Sequence, residues 1–84
     1  MSKLNNMPNI GKVLEYKLME IGIKSPEELT KLGSKEAFIR IKMLDSTACC
    51  NTLYALEGAI KGVRWHGLDD AEKKVLKDFF QSMK

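Results

Sequence analysis

Residues 48–68 read ACCNTLYALEGAIKGVRWHGL, and the fold turns on how this stretch is understood. As far as Gly62 it has the periodicity of one long helix, which then breaks into a short loop over residues 63–68. Cys49, Leu53, Leu56, Ile60 and Val63 follow a 4-3-4-3 spacing that places them on one helical face. Tyr54, Ala55 and Ala59 widen that face until more than half the circumference is apolar. A helix of this kind belongs in the middle of a small bundle, with neighbours on several sides. Gly58 sits inside it, where glycine costs about 1 kcal/mol relative to alanine. Its presence predicts a second helix packed close to the backbone.

Working outward, Asp69 caps a fifth helix with Glu72 at the capping-box position. Val75, Leu76, Phe79, Phe80 and Met83 form its packing face. Upstream, Asp45 or Ser46 is expected to cap the long helix. A third helix runs from Lys35 to about Leu44 behind a Ser34 cap. It turns Ala37, Phe38, Ile41 and Leu44 inward and Lys35, Arg40 and Lys42 to water. Ser25-Pro26-Glu27-Glu28 starts a second helix: a capping serine, proline in the first turn, and a glutamate to complete the box. It buries Leu29 and Leu32 and stops at Gly33. A first helix over about 11–21 is lined by Ile10, Leu14, Leu18 and Ile21, flanked by Val13, with Gly22 just past its end. Before it, Met7-Pro8-Asn9-Ile10-Gly11-Lys12 reads as a turn: Pro8 holds Met7 extended, and Gly11 permits a conformation closed to other residues. Residues 1–6 are expected to fray. No segment alternates as a strand does, and the linkers are short. The expectation is one all-α domain over residues 1–84, a compact orthogonal bundle of about five short helices of the helix-hairpin-helix/SAM-like type.

Composition narrows the function classes. The chain has 84 residues, 44% hydrophobic and 30% charged, ordinary values for a globular domain. There is no apolar run near the ~18 residues of a membrane span. The opening residues lack the apolar core of a secretory signal, so the cytoplasm is the expected location. Cys49 and Cys50 are adjacent, and neighbouring helical side chains diverge by about 100°, so two free thiols are expected, one in the core and one at its edge. With one histidine and no CxxC, no metal site is expected. Within one subunit a Cys–His catalytic pair is unavailable, because a straight helix would hold His66 roughly 20 Å or more from the thiols. The acidic pairs Glu27/Glu28 and Asp69/Asp70 lie at helix starts, where capping explains them. No phosphate-binding loop motif is present. The chain is therefore expected to be no enzyme and to hold no cofactor.

Two clusters remain as candidate sites. The net charge is +3 and the pI about 8.9, a mildly basic balance in which most lysines alternate with glutamates as a solvated face. Against it, Asn9, Ile10, Gly11 and Lys12 resemble the hairpin of helix-hairpin-helix domains, whose exposed amides and nearby lysine suit a DNA phosphate. Two features depart from that pattern: Asn9 stands where glycine is usual, and little chain precedes the hairpin to form its first helix. The plain structural alternative is a turn that starts the first helix. Arg64, Trp65 and His66 are the second cluster, with the composition of an interface hot spot. The structural alternative has Trp65 filling the gap between the last two helices while Arg64 and His66 cap carbonyls.

Taken together, these blocks resemble the C-terminal domain of the TfoX/Sxy family, bacterial regulators of competence for DNA transformation. The resemblance rests on the 7–12 turn, Gly22-Ile23 with Ser25-Pro26-Glu27-Glu28-Leu29, Gly33, Lys35-Glu36-Ala37 and Cys49. Above all it rests on Leu53-Tyr54-Ala55-Leu56-Glu57-Gly58-Ala59-Ile60 followed by Gly62 and Arg64-Trp65-His66. It covers about residues 7–80. Regulatory members usually carry an N-terminal α/β domain before this one, so the resemblance implies a stand-alone helical binding module. Its expected partner is DNA, bound weakly and without sequence preference; the alternative is a protein partner or a homodimer formed through Arg64, Trp65 and His66. Neither membrane nor metal is expected as a partner. Glu57, in the most specific block, is expected to bond a neighbouring loop or to pair with Arg64.

Overall fold

The computed structural model describes residues 4–83, with the Asn5 side chain excepted. A 3-10 turn at Leu4–Asn6 leads into five α-helices: α1 (Lys12–Glu20), α2 (Pro26–Leu32), α3 (Ser34–Leu44), α4 (Cys50–Lys61) and α5 (Asp70–Ser82). A second 3-10 turn, Trp65–Gly67, joins the last two. Among the described residues there is no strand, and the molecule is an all-α orthogonal bundle.

The local signals explain most of the boundaries. Ser25 Oγ accepts the Glu28 N–H at 3.2 Å, the cap its spacing predicts, and the same hydroxyl donates to Glu28 Oε1 at 3.3 Å, so the glutamate takes the hydroxyl and not the Ser25 N–H. α2 stops at Gly33. α4 ends where Gly62 enters the left-handed region (φ 76°). The Val63 N–H then reaches back to the Gly58 carbonyl at 2.9 Å, closing the helix end.

α4 is central, as its wide apolar face requires, and it packs against α2, α3, α5 and the Trp65–Gly67 turn. Leu53, Leu56 and Ala59 from α4 meet Leu18 of α1, Leu29 of α2, Phe38 and Ile41 of α3, and Leu76 of α5 in one core. Phe38 and Phe80 cross there at 5.8 Å and 58°.

Tertiary packing overrides several local readings. Residues 4–6 do not fray: Leu4 is fully buried in the core. Residues 1–3 lie outside the described residues. Gly58 faces no neighbouring helix; a β-carbon there would meet the Asn9 side chain and the 63–65 backbone. Cys49 is exposed because it is the N-cap of α4 and not part of the buried face, and Cys50 is half-buried. Asp45 ends α3 instead of starting α4, accepting bonds from Thr47 and Lys17. Lys42 is not simply solvated; its ammonium donates to the Ser46 and Ala48 carbonyls. Ser34 is the first residue of α3, behind a Gly33 cap, and its hydroxyl is used elsewhere. Asp69 caps α5 without a side-chain bond, and Glu72 turns to Lys61 at 2.6 Å. Leu44, Val63 and Val75 come out exposed, since each lies at the edge of a face and no element covers it.

Candidate functional site

The two candidate clusters are one place in the molecule, and Asn9 joins them. Asn9 adopts φ 70°, the left-handed conformation that favours glycine and that asparagine tolerates best among other residues. Its Nδ2 donates to the Val63 carbonyl at 3.0 Å and to the Ala55 carbonyl at 3.4 Å. Its Oδ1 accepts the Trp65 N–H at 3.1 Å. This clamp requires Gly58: a β-carbon there would stand 2.6 Å from Asn9 Nδ2 and 2.7 Å from the Val63 oxygen. Asparagine in the glycine position is thus the residue that ties the hairpin to the end of α4. Gly11, by contrast, is in ordinary extended geometry with open space around it.

These contacts redistribute the hairpin's roles. Ile10 is buried and packs in the core. The amide head of Asn9 is consumed internally. What faces outward is Gly11 and the exposed Lys12, at an α1 N-terminus with no side-chain cap. They line a shallow groove of about 410 Å³ with Val13, Lys17, Asn51 and Thr52. Lys17 is engaged there with Asp45 at 2.6 Å, so Lys12 supplies the uncommitted charge.

Across the clamp, Trp65 is half-buried and folds back over α4, so the structural alternative of a plug between helices is only partly met. Its ring lies 6.0 Å from Tyr54 at 21° and 3.9 Å from His66 at 28°, while Lys73 Nζ sits 5.8 Å from its centroid. Arg64 and His66 are exposed and, among the described residues, their side chains cap no carbonyl. The Cys50 thiol beside Tyr54, together with desolvation, pushes its phenol up to about 12, so the ring stays neutral. Leu68, buried, anchors the far end of the loop. Tyr54 and Lys73 escaped the sequence reading: Tyr54 counted as part of a buried face, and no local signal brings the first turns of α5 to Trp65.

Glu57 does not pair with Arg64. It accepts the Ser34 hydroxyl at 2.6 Å, at the α2–α3 junction, and lies 3.7 Å from Lys61. Lys61 bridges on to Glu72, whose hydrogen bond holds the ammonium pKa above its ordinary value. Ser34, Glu57 and Glu72 line an open groove of about 680 Å³ between α3 and α5. Among the described residues no group of three or more His, Cys, Asp or Glu could hold a metal ion, and no helix is long and apolar enough to cross a membrane.

The family model of the TfoX C-terminal domain matches residues 1–80. The chain belongs to the TfoX C-terminal domain family. This TfoX C-terminal domain is 33% identical over 81 residues to protein Sxy of Escherichia coli strain K12, covering 96% of this chain and 39% of Sxy. It thus spans about two fifths of the curated relative it matches. A crystal structure of an uncharacterized protein from Listeria monocytogenes (triclinic form) superposes with TM-score 0.94 at 60% identity, covering 95% of this chain and 91% of that one. A tetragonal form of a protein of unknown function from the same organism gives 0.95 at 58% identity, over 98% and 100%. The TfoX C-terminal domain is therefore competence-regulator-like in family, with the turn before α1 and the 64–66 loop joined through Asn9.

Proposed function

We propose that this chain is a small cytoplasmic, non-enzymatic binding module that contacts DNA phosphates through a helix-hairpin-helix-like turn, with Lys12 and the amides beginning α1 as the contact. One observation carries the reading: Asn9 locks the hairpin against the 64–66 loop, which leaves Lys12, Arg64 and His66 exposed around a rigid corner. A preorganised turn loses little entropy on binding. Phosphate contact at a helix N-terminus is independent of sequence. Family membership adds the setting, regulation of competence for DNA transformation.

Fluorescence anisotropy of a labelled duplex tests this at low and moderate salt. Expected are micromolar affinity, a steep fall as salt rises, and weakening by Lys12→Glu. Undiminished binding by that variant removes the hairpin from the site, and no binding at low salt retires the DNA reading for this domain. The second reading is a protein partner or homodimer at Arg64, Trp65 and His66. It draws on the exposed Arg64 and His66 side chains beside a half-buried tryptophan, and concentration-dependent sedimentation would reveal the homodimer.

A further inference from the structure

We propose that the ring ladder Tyr54–Trp65–His66 is a stacking platform for an unpaired base of single-stranded DNA, with Arg64 beside it for the strand's backbone. The inference rests on the nucleic-acid reading above but uses different residues. Three rings in succession lie near parallel, at 21° and 28°. The ladder begins on α4, passes through half-buried Trp65 and ends at His66, which is exposed. The imidazole lies against the indole at 3.9 Å, and His66 as a residue is exposed to solvent. A flat ring held by a ladder behind it is the surface on which a base stacks, whatever the base. The phenol at the base of the ladder is neutral, so it adds no charge repelling phosphate.

The platform is preorganised. The Trp65 N–H is held by Asn9, the turn closes through Gly67 N–H to the Arg64 carbonyl at 2.9 Å, and Leu68 is buried. Two cations accompany the ladder: Arg64 is exposed beside it, and Lys73 Nζ sits 5.8 Å from the indole centroid, both of a sign that suits a strand's phosphates. In a duplex the bases are already stacked and the ladder has no role, which separates this inference from phosphate contact by the hairpin.

Trp65 is the single tryptophan, so its emission reports the ladder directly. The test titrates the protein with a short oligothymidylate and with an abasic strand carrying the same phosphates, following both Trp65 emission and anisotropy. Stacking predicts quenching by the base-bearing strand and about five-fold or greater preference over the abasic one. His66→Ala, at an exposed position, should retain the helical circular dichroism spectrum and abolish the preference for the base-bearing strand. Equal affinity for the two strands, or an unaltered preference in His66→Ala, overturns the platform. A base preference insensitive to Lys12→Glu, with no duplex binding, would sustain the platform and retire the hairpin reading. Absence of all nucleic-acid binding would overturn both and leave the corner to a protein partner.

Discussion

Asn9 and Gly58 are one device seen from two sides. Asn9→Ala removes the clamp's hydrogen bonds and puts alanine at φ 70°, where a non-glycine residue costs on the order of 1–2 kcal/mol. With the Trp65 N–H losing its partner as well, a total loss of about 2–4 kcal/mol is expected in urea denaturation. Asn9→Gly should recover part of that loss, because it relieves the backbone while still lacking the clamp. Gly58→Ala drives a methyl group to 2.6 Å from Asn9 Nδ2 and 2.7 Å from a carbonyl oxygen, and should cost about 1–3 kcal/mol or more. Gly11→Ala meets nothing within 4 Å and needs no special φ, so its urea midpoint should barely move. If the ranking of Gly58 and Gly11 reversed, the packing described for this corner would be wrong.

Among the elements, α1 is tied to the end of α3 by Lys17 and Asp45. The Lys17 ammonium at 2.6 Å, then the Thr47 hydroxyl and N–H, hold the Asp45 carboxyl well below the ordinary carboxylate range. Its folded pKa lies below its unfolded one. The stabilisation is therefore fully present above about pH 4 and is lost as the pH falls through and below that value. Asp45→Asn should destabilise the protein near neutrality, and the gap between the two proteins should narrow as the pH falls below about 4. Thermal melting at pH 7 and at about pH 3 checks this; a gap that stayed constant would show that the pair contributes through packing alone. At this scale periodicity places five helices and most of their core faces. Caps are where it fails. Asp45, Ser34 and Glu72 all carry cap chemistry, yet Lys17, Glu57 and Lys61 are better partners in the folded molecule. A local rule ranks only nearby donors and acceptors, and these partners come from other helices.

For the molecule as a whole, the segment before the hairpin is structural. Leu4 is fully buried among residues of the same core as Leu18 and Phe38. Leu4→Ala should cost about 2–4 kcal/mol, and the urea midpoint should fall accordingly. A change under half a kilocalorie would return this segment to the frayed terminus that its polar composition suggests. A lone leucine among polar residues has no period to reveal its side, so its burial was not legible.

Helix count, class and the central place of α4 follow from the sequence by itself, since apolar spacing needs only the geometry of one helix to be read. Both candidate clusters were likewise visible as residue types. Their union was not. The contacts from Asn9 to Val63 and Trp65 span more than half the chain, and no periodicity or cap rule acts over that separation. The return of Trp65 onto Tyr54, the turn of Lys73 toward the indole and the exposure of His66 depend on how the loop after Gly62 settles between helices. Only the assembled bundle decides that, because the hydrogen bonds and ring contacts that hold the loop exist only after the helices have met.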